Sequence, residues 1–133
     1  MIDRAEFAAW IDGYERVWRS PGTAGLLELF AEDATYRHSP FAQPINGLDA
    51  IAVDWEDERE GADEVFTMAA EIVAVERDTG VARILVRYGE PVTQEYLDLW
   101  VVRFAADGRC SSFEEWPFWP DQPWAACVAA DES

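Results

Sequence analysis

The 133-residue sequence contains no lysine, a single histidine, two cysteines and no long uninterrupted apolar run. Each scarcity excludes something. The ten basic residues are all arginine and face 27 acidic ones, giving a formal net charge of −17. A field of that sign repels phosphate backbones, so neither nucleic acid nor an anionic membrane surface is an expected partner. His38 alone, with Cys110 and Cys127 outside any CxxC spacing, cannot supply the usual zinc patterns. The two cysteines read as buried thiols in a reducing compartment rather than a disulfide. Asp, Glu or Arg interrupts the longest apolar stretches, so no segment spans a bilayer. Residues 1–30 open on Asp3, Arg4 and Glu6, unlike a secretory signal. The expected location is cytoplasmic. GxSxG and phosphate-cradling glycine loops are missing. The acidic run 54–64 lacks the ligand order of a calcium loop and reads as a solvated helix end. No metal or other cofactor is expected.

What is present is apolar and aromatic. Half the residues are hydrophobic and seven are tryptophan, enough for one domain with a core that needs no disulfide. No internal repeat appears. Over residues 3–19, Phe7, Trp10, Ile11, Tyr14, Val17 and Trp18 recur at helical spacing, and Asp3 with Glu6 forms a capping box. "SPGT" at 20–23 ends that helix, and Thr23 can cap a short second one carrying Leu26, Leu27 and Phe30. "ATYRH" reads as a short strand, 39–47 as a loop that pairs briefly around Ile45, and Leu48–Glu60 as a third helix with Ile51, Ala52 and Trp55 on one face. The period then changes to two. Strands are expected at 65–76, 81–88, 94–104 and 109–116, separated by short turns, which makes antiparallel hairpins.

Helices first and an antiparallel meander afterwards define an α+β fold. The sheet must cover the apolar helix faces, and its aromatic-rich strands would curl around them and leave a cavity. Residues 117–133, rich in proline and tryptophan, cannot form a central strand and read as a C-terminal arm on the single domain 1–133.

Two stretches, "LLELFAEDATYRHSPFAQPINGLDAI" (26–51) and "LWVVRFAADGRCSSFEEW" (99–116), resemble the SnoaL-like branch of the nuclear transport factor 2-like (NTF2-like) superfamily, which includes polyketide cyclases and ketosteroid isomerases. With the first helix, the resemblance covers about residues 5–118. It implies three helices in a cone-shaped, strongly curved sheet, an apolar pocket at one end, a small apolar ligand and a homodimer through the outer sheet face. Such motifs specify fold better than function, since the fold hosts several chemistries and non-enzymes. The resemblance puts Tyr14 where steroid isomerases keep a tyrosine that donates to the substrate oxyanion. It puts His38 at the place of their catalytic carboxylate, and Trp100 where they keep a protonated acid. One role is retained and two residue types differ.

Strand alternation supplies further candidates. If Trp100 faces the pocket, so do Tyr96, Asp98 and Val102, and on the last strand Phe113 and Glu115. The candidate catalytic set is therefore His38, Tyr14, Asp98 and Glu115. Trp10, Trp55, Tyr96, Trp100, Val102 and Phe113 are the candidate lining. An imidazole can take a proton from a carbon acid near neutral pH. Tyr14 can donate to a developing enolate oxygen. Asp98 or Glu115, desolvated among aromatics, can orient the base or act as the acid. A structural alternative pairs Asp98 with Arg83 or Arg87 of a neighbouring strand. Two functions follow: cofactor-independent isomerase, cyclase or dehydratase-type chemistry on a ring-bearing metabolite, or a non-catalytic ligand-binding or dimerisation module.

Overall fold

The computed structural model describes residues 1–58 and 64–121. Helix α1 (Arg4–Trp18) is followed by α2 (Leu26–Leu29), strand β1 (Phe30–Arg37), the two-residue strand β2 (Ile45–Asn46) and α3 (Leu48–Glu58). Four long strands complete the chain: β3 (Phe66–Glu76), β4 (Thr79–Tyr88), β5 (Gln94–Phe104) and β6 (Cys110–Phe118). They form one curved six-stranded sheet in the order β2-β1-β6-β5-β4-β3. The β3–β6 meander is antiparallel, and β1 joins it parallel to β6, with Tyr36 opposite Phe113. This is the expected α+β cone. No helix among the described residues is long and apolar enough to cross a membrane.

Helix α1 starts where its capping box dictates. Asp3 Oδ1 accepts from the Glu6 amide at 2.8 Å, and Glu6 Oε1 accepts from the Asp3 amide at 2.9 Å. Its apolar face buries Phe7, Trp10, Ile11 and Tyr14 against the sheet. The close approach depends on Gly80, because a Cβ there would lie 2.5 Å from the Phe7 ring. Trp10 is the hub of the core. Its ring meets Phe30, Phe104 and Phe113 at centroid distances of 5.7, 5.6 and 5.8 Å, and its indole N–H donates to the Leu29 carbonyl at 3.0 Å.

Three boundaries differ from the sequence reading. Phe30 belongs to β1, not to the second helix; its backbone is extended (φ −121°, ψ 142°), and it pairs with Cys110 of β6. Thr23 does not cap α2 with its side chain: Gly25 is the N-cap, and only the Thr23 carbonyl is used, by the Leu26 amide at 3.1 Å. Pro117 and Phe118 extend β6 opposite Asp98 and Leu97. The β1 pairing stops at Arg37 opposite Glu114, so beyond that point β6 has one neighbour, an edge setting that tolerates proline. The rest of the expected arm, residues 122–133 with Cys127, lies outside the described residues, as do positions 59–60 of the third helix. Cys110 is a buried free thiol.

Candidate functional site

A cavity of about 620 Å³ opens between α1, α3 and the concave face of the sheet. Strand alternation sends Tyr96, Asp98 and Trp100 of β5 to this face, and Trp100 stands opposite Glu115 of β6. From the helices come Tyr14, Trp18 and Trp55, and from β1 Tyr36. His38 follows two residues after Tyr36 and also lines the cavity. Tyr14, His38, Asp98 and Glu115 therefore share one wall system, as do Trp55, Tyr96 and Trp100. Trp10, Val102 and Phe113 do not line it. They sit one layer deeper, where the cone narrows and aromatic packing closes the space.

Asp98 is 5% exposed, and its Oδ1 has no hydrogen-bond partner. The expected structural alternative fails on register. Asp98 opposes Ile84, so Arg83 and Arg87 fall on the other face of β4, where they pair with Glu71 at 3.9 Å and Glu95 at 3.0 Å. The neighbour that acts on Asp98 is another acid. Burial first, then the charge of Glu115 and a hydrogen bond with it, push the Asp98 carboxyl up to about 9. Two carboxyl groups hydrogen-bond only when one carries a proton, and here Asp98 carries it. The Trp100 indole slightly favours the charged form, but its N–H makes no well-formed hydrogen bond.

A tyrosine relay ends on Glu115. Tyr36 donates to Glu115 Oε1 at 2.6 Å. Having spent its one proton there, Tyr36 can only accept from Tyr14, whose hydroxyl lies 3.4 Å away. Burial, then the Glu115 charge, raises both tyrosines well above their ordinary values, so they remain neutral donors. The Tyr14–Tyr36 contact is long enough to be exchanged for a ligand oxygen at little cost.

His38 is oriented by a different carboxylate from those expected. Its Nε2 lies 3.1 Å from Asp54 Oδ2, and its ring packs 5.0 Å from Tyr36. The pair is half-buried, at 36% and 20% side-chain exposure. Asp54 was hidden in the acidic run read as a solvated helix end; its signal was position, immediately before the inward-facing Trp55 at the start of that run. Tyr36 also escaped the candidate set, although it lies two residues before His38 and lines the same cavity. Glu58, one helical turn after Asp54, brings an oxygen within 4.8 Å of the His38 and Asp54 ligand atoms, and these three could hold a cation at the cavity mouth.

The arrangement offers a neutral acid (Asp98), an imidazole beside a carboxylate (His38–Asp54), a phenol relay, and two buried indole N–H groups without partners, those of Trp55 and Trp100.

Solved structures share the fold. An epoxide hydrolase/cyclase-like enzyme, SalBIII, described for pyran ring formation in the polyether salinomycin, superposes with a TM-score of 0.71 at 13% identity, covering 89% of this chain and 95% of that one. A protein of the SnoaL-like family from Agrobacterium tumefaciens, proposed to be an isomerase, gives 0.69 at 14% identity over 86% and 98%. A Sinorhizobium meliloti protein proposed to be a polyketide cyclase gives 0.63 at 20% identity over 80% and 93%. No curated protein matches by sequence. The sequence profile of the SnoaL-like domain matches residues 8–113. Together with the curved sheet and its helices, that match makes this chain a member of the SnoaL-like domain family.

Proposed function

We propose that the cavity binds a small ring-bearing metabolite and acts on it by cofactor-independent acid–base chemistry of the isomerisation, cyclisation or dehydration type. The observation that carries this reading is Asp98, a carboxyl buried in the cavity wall with an unpartnered oxygen, which burial and the neighbouring Glu115 push toward its protonated form. A protein that needed Asp98 only for folding would gain from giving it a partner. His38, polarised by Asp54, is the base that removes a proton from carbon. Asp98 is the acid that returns one, and Tyr14 donates to the oxygen on which charge develops. Relatives described as cyclases and isomerases support this class of chemistry.

A general test needs no knowledge of the natural substrate. Cyclic enolisable ketones are incubated with the protein in heavy water, and deuterium uptake at the α carbon is followed by NMR. Uptake faster than with heat-denatured protein, and lost in His38→Gln, is expected. Uptake equal in the wild type and in His38→Gln would refute the assignment of the base.

We also propose a homodimer built on the outer sheet face. Leu85 faces the exposed Leu97, and Leu99 faces Trp116, so an apolar stripe crosses β4, β5 and β6 on the side away from the cavity.

A further inference from the structure

The described cavity wall carries five carboxyl side chains, Asp54, Glu58, Glu64, Asp98 and Glu115, and no arginine. The chain has no lysine anywhere. Among the described residues no cationic side chain pairs with Asp98 or Glu115, since the nearest arginines along β4 are spent on the outer face. The remaining wall is largely aromatic. Tyr14 meets Trp55 at 4.8 Å and Trp100 at 4.5 Å, Trp18 meets Trp55 at 4.8 Å, and Tyr88 meets Tyr96 at 5.9 Å. Ring faces together with buried carboxylates are the chemistry that recognises an organic cation.

We propose that the ligand of this cavity is a ring-bearing amine in its protonated form, seated with its charge toward Glu115 and Asp98. An anionic ligand such as a carboxylate or phosphate would meet repulsion from the wall and from a chain of net charge −17. A neutral ligand would displace water from Glu115 without replacing its hydration. A cation satisfies Glu115 and stacks on the rings. The inference rests on the cavity being the ring-binding site proposed above.

The titratable groups facing Asp98 are Glu115 on β6, Tyr14 on α1, Tyr36 on β1, Tyr88 on β4 and Tyr96 on its own strand, with His38 and Asp54 toward the mouth. Tyr14, Tyr36 and Tyr88 are neutral phenols, so the attraction for a cation comes from the carboxylates among these groups.

Three probes of nearly equal shape separate the possibilities: tryptamine, tryptophol and indole-3-acetate carry a positive, zero and negative charge on one ring system. Calorimetry at pH 7.5 gives the three affinities. Tryptamine is expected to bind roughly tenfold more tightly than tryptophol, and indole-3-acetate most weakly. In Glu115→Gln, and in Asp54→Asn should the former fold poorly, the preference for tryptamine should fall by several-fold while tryptophol binding persists. If tryptophol binds as tightly as tryptamine, the charge assignment is overturned while ring binding stands. If none of the three binds, both are overturned. A preference that is unchanged in the variants overturns the placement of the charge.

Discussion

The Tyr36 hydroxyl donates a 2.6 Å hydrogen bond to Glu115 Oε1 across β1 and β6, at the acid that neighbours Asp98. Removing it in Tyr36→Phe withdraws a charge-assisted donor from a buried site. A loss of about 1–3 kcal/mol in stability is expected. Chemical denaturation at pH 7 measures it. An unchanged midpoint would mean that the bond is not formed in solution.

The Asp98 carboxyl, raised to about 9 in the folded chain, lies far above the ordinary aspartate range of an unfolded one. Between those values the folded state holds a proton that the unfolded state has lost. This group's contribution to stability is fully present below the unfolded value and is lost as pH rises toward 9. The stability of Asp98→Asn should therefore gain on the wild type between pH 6 and pH 8.5, by at most about 1.4 kcal/mol per pH unit. Paired urea titrations across that range check the slope. A constant difference between the two proteins would remove the shift.

His38 and Asp54 are half-exposed, so their pair should matter to chemistry and little to folding. His38→Gln and Asp54→Asn are each expected to change stability by less than about 1 kcal/mol. The deuterium-uptake rate should fall by roughly 10²-fold or more in His38→Gln and by less in Asp54→Asn. The informative signature is that ordering, because Asp54 acts through the orientation of the His38 ring.

The tryptophans divide by what their N–H groups do. Trp10 donates to Leu29 and packs at the hub of the core, so Trp10→Ala should cost about 3–5 kcal/mol. Trp55 has no partner for its N–H and faces the cavity, so Trp55→Phe should be tolerated within about 1.5 kcal/mol and weaken ligand binding instead. Thermal melts with and without tryptamine separate the two effects.

The outer-face stripe predicts self-association that Leu99→Glu disrupts. Sedimentation velocity on both proteins reads the result directly; a wild-type monomer at tens of micromolar would dismiss the dimer.

Much of this was legible in the sequence because alternation and helical spacing are local. The inward face of β5, with Asp98 and Trp100, followed from a period of two. The capping box at Asp3 and Glu6 fixed the start of α1. Other features depended on distant strands. Phe30 reads as helical by its neighbours, but the parallel partner Cys110 draws it into β1. The escape of Asp98 from Arg83 and Arg87 needed the β4–β5 register. Trp10 and Phe113 were placed on the cavity because their faces were correct, whereas their depth in the cone is set by the curvature of the whole sheet. Asp54 sat among so many acids that nothing in its own segment marked it as the partner of His38.

The protonation state of Asp98 is the point on which the proposed acid catalysis depends. Carboxyl carbon NMR of protein labelled at aspartate, with Asp98→Asn identifying the resonance, reads it directly. A signal that remains protonated at pH 7 and titrates near 9 is the expected result. A carboxylate already ionised at pH 6 would contradict the proposed acid.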